Sequence, residues 1–406
     1  MTIQIASVPN GTVTSAKGFS AGAVFAGIKT PGADKRDIGL LVSEQLCTVA
    51  GTFTQNSIIS PSASLTRDRI GINKKVKAIV ANSGCANCAV GAQGLVDAKE
   101  TTDIAASHLS TTSEETLVAS TGVIGVELPM ALIREYIPKI NVTENGGSEF
   151  AKAILTTDKR SKEIAVSFDA DGIIHTVGGV SKGSGMIHPN MATMLAFTTT
   201  DANVDPVFLQ ETLSNAVKLS FNQIDVDGDQ STNDTVILMA NGAANGALLK
   251  GDNDASDAFA AAVLKVCKHL AIEIARDGEG ATKLIEVTVE GAYSNDDALK
   301  ASRACAASLL VKTAVYGRDP NWGRIFMAVG KSGIKLDESL INCYVNDIQI
   351  VADGKGISYN VQSVVSALGD DEVRLRVNLN VGSGSGQAWG CDLTEEYVVF
   401  NSAYTT

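Results

Sequence analysis

The sequence predicts an α/β (α+β) fold in which half-polar strands are layered against amphipathic helices. Three observations lead there. Helical and strand-like patterns alternate along all 406 residues without a repeat, low-complexity tract or linker. The strands are apolar on one face only, which suits largely antiparallel sheets with helices over that face. No GxxxxGK[ST] loop occurs, and nothing favours a doubly wound nucleotide fold. The length alone suggests two or three domains.

In chain order, Glu163 to Val180 reads as a hairpin turned at Asp171-Gly172. Lys182 to Asn190 is a loop, broken by Gly, Ser and Pro. Ala192 to Thr200 is an apolar strand candidate starting at Thr193. Asp225-Val-Asp-Gly-Asp229 has the look of a calcium loop, but Gln230 stands where glycine is required and Val236 where the bidentate glutamate belongs. It reads as a polar turn feeding the strand Thr235 to Ala240. Ser256 to Asp277 is a helix, since Phe259, Val263, Val266, Leu270 and Ile274 recur at spacings of four and three, with Gly278 as its stop. The glycine-rich turn from Asp277 to Lys283 presents Glu279. Ile285, Val287 and Val289 then alternate with Glu286, Thr288 and Glu290 as a half-buried strand, and Val373 to Leu379 repeats the type. Gly382-Ser-Gly-Ser-Gly386 leads into no helix and reads as a loop between two strands rather than a phosphate cradle.

Composition narrows the function. The net charge is −12, which argues against nucleic-acid and anionic-membrane partners, because both need a positive field. No signal peptide and no apolar run of membrane-spanning length is visible, so a soluble, cytoplasmic protein is expected. The 7 cysteines are scattered and odd in number, which fits reduced core thiols. Cys85-Ala-Asn-Cys88 lacks the second pair or nearby histidine that zinc needs, and no metal is expected. Of the 4 histidines only His188 is suggestively placed, and no Gly-x-Ser-x-Gly elbow exists. In Ala119-Ser-Thr-Gly-Val123, a Thr121 hydroxyl beside a Gly122 amide would make a two-donor anion site.

The segment Lys182-Gly-Ser-Gly-Met-Ile-His-Pro-Asn-Met-Ala-Thr193-Met-Leu closely resembles the signature of the ornithine acetyltransferase family, the glutamate N-acetyltransferases of arginine biosynthesis. Further matches follow in the family's order: Asn82-Ser-Gly84, Ser120 to Ile124, Thr156-Thr-Asp158, Asp225 to Asp229, Asp277 to Lys283, Asp319-Pro-Asn-Trp-Gly-Arg324 and the Asn401 to Thr406 tail. The resemblance implies self-cleavage between Ala192 and Thr193, giving chains 1–192 and 193–406. Thr193 would then be the nucleophile, with its new α-amine as base. Such an amine titrates at ~7.7–8.0, suited to proton transfer at neutral pH. Thr121 and Gly122 would form the oxyanion hole. Thr156, Lys182, Thr193, Glu279, Asn401 and Thr406 would bind substrate, Thr156 being chosen over Thr157 on spacing alone.

The resemblance further implies the family's layered α/β sandwich, similar to amino-terminal-nucleophile hydrolases, with a second α/β lobe. It implies acetyl transfer from N2-acetylornithine to glutamate, no prosthetic group, acetyl-CoA as a co-substrate in two-function members only, and an α2β2 assembly. The rival of the same fold is a self-processing aminopeptidase or amidase. Cys88 departs from the family pattern, where a small residue, usually alanine, is expected. On this reading Thr193→Ala should remain one chain on a denaturing gel and be inactive, because attacking oxygen and later nucleophile vanish together. A cleaved Thr193→Ala protein would refute self-processing by this residue.

Overall fold

The computed structural model describes residues 4–29, 35–188 and 194–403. The chain opens with β1 (Ile5–Ser7), β2 (Phe19–Val24), β3 (Ile38–Phe53), α1 (Pro61–Asn73), β4 (Lys75–Cys85) and α2 (Gln93–Leu109). Next come β5 (Thr116–Val123), α3 (Met130–Tyr136), α4 (Gly147–Ala153), β6 (Lys162–Ala170), β7 (Ile173–Lys182) and β8 (Leu195–Thr200). The middle of the chain holds α5 (Pro206–Lys218), β9 (Ile224–Asp225), β10 (Thr235–Ala240) and α6 (Asp254–Arg276). Then follow β11 (Leu284–Ala292), α7 (Asn295–Ala306), α8 (Leu309–Tyr316), α9 (Trp322–Gly330), β12 (Asn342–Val345) and β13 (Ile348–Ala352). The last elements are β14 (Lys355–Gly356), α10 (Val361–Ala367), β15 (Glu372–Asn378), β16 (Gly384–Cys391) and α11 (Glu395–Ala403).

The larger sheet runs β1-β6-β7-β8-β10-β3-β4-β5, with β2 also on β3. It is mixed: β8–β10 and β4–β5 are parallel, and the other pairs are antiparallel. Strand β3 shifts register between Val42 and Cys47, its first part pairing with β2 and its second with β10. The sheet continues round this bend into two arms. Leu41, Ile79, Leu117 and Ala119 of one arm share a core with Val180, Leu195, Phe197 and Ile237 of the other. The next residues along these strands point outward. Leu40, Val80 and Val118 pack with residues of α1, α2 and α3, while Ala196, Val236 and Leu238 pack with α5 and α6. The result is helix, sheet arm, sheet arm, helix.

Local chemistry explains the ends of these elements. The β6–β7 hairpin turns at Asp171 and Gly172, both at positive φ (56° and 83°), as the sequence predicts. Helix α5 is capped by Asp205, which accepts from the Val207 and Phe208 amides, and Pro206 takes the first turn. Asn253 caps α6 through the Ser256 amide. The predicted stripe Phe259, Val263, Val266, Leu270 and Ile274 is wholly buried. Each such side chain contributes roughly 1.5–3 kcal/mol.

The second sheet, β14-β13-β12-β15-β11-β16-β9, packs with α7, α9 and α10 around its own core. Residues of β9 reach it from inside the first lobe, pairing Ile224 and Asp225 with Trp389 and Gly390. Strands β8 and β10 are buried on both faces, which suits the apolar reading of Ala192 to Thr200, because two helical layers and two sheet arms surround them. In one place the structure departs from the sequence reading: Gly384 and Gly386 lie in β16 rather than in a loop. A side chain on either would strike the backbone of Ser294 or Leu299, so their bareness lets α7 lie directly on the strand. Among the described residues no helix is long and apolar enough to cross a membrane.

All seven cysteines are free and buried. Burial pushes the Cys47, Cys267 and Cys305 thiols up to about 12 and Cys391 up to about 11. Cys85 donates to the Val126 carbonyl at 3.1 Å. The native protein should therefore react with a thiol reagent at pH 8 at fewer than one of its seven cysteines. Denaturant should expose all of them. Rapid native labelling of Cys85 or Cys88 would show that their loop opens.

Candidate active site

A cavity of about 340 Å³ opens where the ends of β5 and β7 meet the loops before β10 and β11. Thr121, Gly122, Thr156, Lys182, Glu279 and Asn401 all line it. Ala192, Thr193 and Thr406 lie outside the described residues.

Thr121 and Gly122 stand at the end of β5, parallel to Ser83 and Gly84 of β4. The ladder is irregular there, and Gly122 takes a φ of +128° that side chains disfavour. Its missing Cβ would overlap the Gly84 carbonyl carbon and the Cys85 amide, so the two strand ends touch only because the residue is glycine. Beside this contact Asn233 donates to the carbonyls of Ala86 at 2.6 Å and Ser120 at 2.8 Å, fastening the β10 loop to both strands.

Lys182, the last residue of β7, donates from Nζ to Thr121 Oγ1 at 3.3 Å. That oxygen is then an acceptor, which leaves the Thr121 proton free to point elsewhere. Burial lowers the Lys182 ammonium from its ordinary range, with Asp158 opposing the effect.

Glu279 faces this cation across the cavity on the turn after α6. Its amide donates to the Ser184 carbonyl at 2.8 Å. Its carboxylate accepts from Thr157 Oγ1 at 2.6 Å and from Asn401 Nδ2 of α11 at 2.9 Å. Thr157, not Thr156, supplies the hydroxyl at this carboxylate. Thr156 lines the cavity too, and its amide donates to Asp158 at 3.0 Å. Tyr397, one helical turn before Asn401, completes the α11 wall.

The segment leading to residue 189 is gripped by the Asp225–Asp229 loop, which is more than the polar turn its sequence suggests. Asp227 accepts from the amides of Met186 (2.6 Å) and Ile187 (2.9 Å), and the Val226 amide donates to the Ile187 carbonyl at 2.7 Å. His188 Nδ1 lies 2.8 Å from Asp225, which also pairs with the buried Lys312 at 2.9 Å. On the far side, the Met194 carbonyl accepts from the Thr235 amide at 3.0 Å.

Thr157, Ser184, Asp227, Asn233 and Tyr397 went unnoticed as site residues in the sequence. The only signal for them is that Thr157, Ser184 and Asp227 lie within the short motifs. The cavity can therefore hold a small molecule bearing both charges, a carboxylate near Lys182 and a cation near Glu279, beside backbone and hydroxyl donors at Thr121–Gly122.

Gly122→Ala should destabilise the fold by about 2–3 kcal/mol, since alanine must take an unfavourable φ and push two strand ends apart. Thermal denaturation would register this as a lowered Tm. An unchanged Tm would mean that the β4–β5 contact yields freely.

Residues 20–406 match the ArgJ family. A relative from Dehalococcoides mccartyi, named arginine biosynthesis bifunctional protein ArgJ, is 45% identical over 399 residues, covering 98% of each chain. The protein of that name from Oceanobacillus iheyensis is 43% identical over 403 residues, covering 99% of this chain and 98% of its own. Among solved structures, the crystal structure of the Bacillus halodurans protein of that name has 44% identity and a TM-score of 0.51. The match takes in 100% of that crystallised chain and 52% of this one. With the match extending over nearly its whole length, the chain belongs to the ArgJ family of bifunctional arginine-biosynthesis enzymes.

Proposed function

We propose that the protein transfers an acetyl group from N2-acetylornithine to L-glutamate, through an acetyl ester on Thr193. The observation that carries this reading is that six residues singled out from the sequence line one cavity. Both substrates are α-amino acids carrying an α-carboxylate, which suits Lys182. Glu279, held by Thr157 and Asn401, suits an ammonium or the Thr193 α-amine.

Self-cleavage at Ala192–Thr193 would free that amine, which then takes the Thr193 hydroxyl proton as Oγ attacks the acetyl carbonyl. Negative charge develops on the carbonyl oxygen, where the Thr121 hydroxyl and Gly122 amide donate. One such donor is typically worth ~2.7–4 kcal/mol of barrier. The amine returns its proton to the departing nitrogen, ornithine leaves, and glutamate attacks the ester by the reverse route. Hydroxyl, amine and hole supply nucleophile, base and charge stabilisation, so the scheme calls for no metal or prosthetic group.

Processing would give chains 1–192 and 193–406, which pair as an α2β2 heterotetramer in the cytoplasm. A crystallised relative matched along its whole chain, yet spanning 52% of this one, supports two separate chains. The word bifunctional in the relatives' names supports acetyl-CoA as a second acetyl donor.

Since donor and acceptor need never be bound together, initial-rate lines at several glutamate concentrations should be parallel in double-reciprocal form. Incubation with N2-acetylornithine alone should release about one ornithine per site and leave one acetyl unit on the peptide beginning at Thr193. Intersecting lines with no acetylated peptide would mean direct transfer in a ternary complex. Steady release of acetate without glutamate would make the protein an amidase.

A further inference from the structure

Three segments distant in sequence wall the charged side of the cavity: Thr156–Thr157, Lys182–Gly185 and the turn of Glu279. Adjoining them is a row of ion pairs that no step of the proposed chemistry uses. Lys162 Nζ lies 2.6 Å from Asp158 Oδ1 and 2.6 Å from Asp277 Oδ2, with all three side chains sealed from water. Asp158 also accepts from the Gly183 amide at 2.7 Å and the Thr156 amide at 3.0 Å. Asp277 accepts from the Lys159 amide at 3.1 Å and sits two residues before Glu279. One carboxylate thus fixes the backbone beside Lys182 and at Thr156, and Lys162 ties it to the turn that presents Glu279.

We propose that Asp158 is the positioning residue of this wall, holding the backbone at Lys182–Gly183 and the Thr156 and Glu279 segments in one geometry. The role rests on the acetyl-transfer reading, in which Lys182 must be charged to bind a substrate carboxylate. Several charges act on that ammonium. Burial and Lys162 disfavour it, while Asp158, Glu279 and Asp234 favour it. Lys29 adds a further repulsion.

Among these partners, Asp158 is a buried group firmly kept as an anion. Burial opposes its charge, but Lys162, Lys182 and the Gly183 amide hold its carboxyl well below the usual range. Asp234 is the reverse case, raised well above the usual range by burial. An ionised Asp158 raises Lys182, so its loss lets the ammonium deprotonate at lower pH. Activity that needs the cation is then lost earlier as pH rises.

The test is the pH dependence of kcat/KM for N2-acetylornithine in Asp158→Asn and Asp158→Glu. Asp158→Asn should move the alkaline limb down by roughly one unit or more, with KM changing more than kcat. Asp158→Glu, which keeps the charge, should leave the limb near its wild-type position. An Asp158→Asn enzyme slowed equally at every pH, with the limb unmoved, would overturn the proposal.

Should Asp158→Asn not fold, the wild-type protein decides through amine labelling across pH, read by peptide mass spectrometry. Lys182 should stay unreactive while the enzyme is active and become reactive as activity falls. Lys182 reacting as a free amine throughout the neutral range would overturn the proposal. Wild-type protein that releases no ornithine and gains no acetyl on the Thr193 peptide would count against acetyl transfer itself. The labelling of Lys182 needs no substrate and reads independently of that outcome.

Discussion

The grip of β7 and β10 on β8 is the constraint from which the cavity follows. Lys182 stands opposite Leu195 on one side, and Thr235 stands opposite Leu195 on the other. A one-residue slip would exchange Leu195 and Phe197 of the inner core for Ala196, which belongs under α6. The chain that leaves β7 at Lys182 must therefore re-enter the sheet at the same level. Whatever chemistry the intervening residues perform, its two ends are set by buried strands. A processing point at Ala192–Thr193 would leave two chains sharing one sheet, held by the β7–β8 ladder across the break.

Charge is the second organising element. A buried ammonium costs several kcal/mol unless it is met by carboxylates and carbonyls in good geometry. Lys162 meets Asp158 and Asp277 beside the cavity. Lys312 meets Asp225 at 2.9 Å and the carbonyls of Asp225, Val226 and Cys391 at 3.0–3.2 Å, where β9 of the first lobe enters the second sheet. Both clusters cross-link segments far apart in sequence. All of these side chains are buried, so water does little to screen the pairs.

Much of this was legible in the chain itself. The hairpin at Asp171-Gly172, the apolar stripe of α6 and the alternation in β11 and β15 are local patterns, set by turn chemistry and by periods of 3.6 and 2. The motif segments carried their positions in the same direct way. Gly384 and Gly386 belong to a strand and not to the loop their sequence suggests, because a bare strand and a flexible loop share one local pattern until a helix lies against them. Asp225 to Asp229 was undervalued, since its carboxylates bond to amides some 40 residues earlier, at Met186 and Ile187. No local pattern marks such a contact.

By itself, then, the sequence determined the class of fold, the family and the short segments that carry reactive side chains, because those depend on neighbours along the chain. The tertiary structure alone decided that Thr121, Gly122, Thr156, Lys182, Glu279 and Asn401 share one cavity. It also decided that Thr157 rather than Thr156 holds Glu279, and that Asp158 and Lys162 bind three of its walls together. Those choices turn on which strand ends meet and which buried charges find partners. Both are settled only when the sheet bends at β3 and brings its two arms face to face.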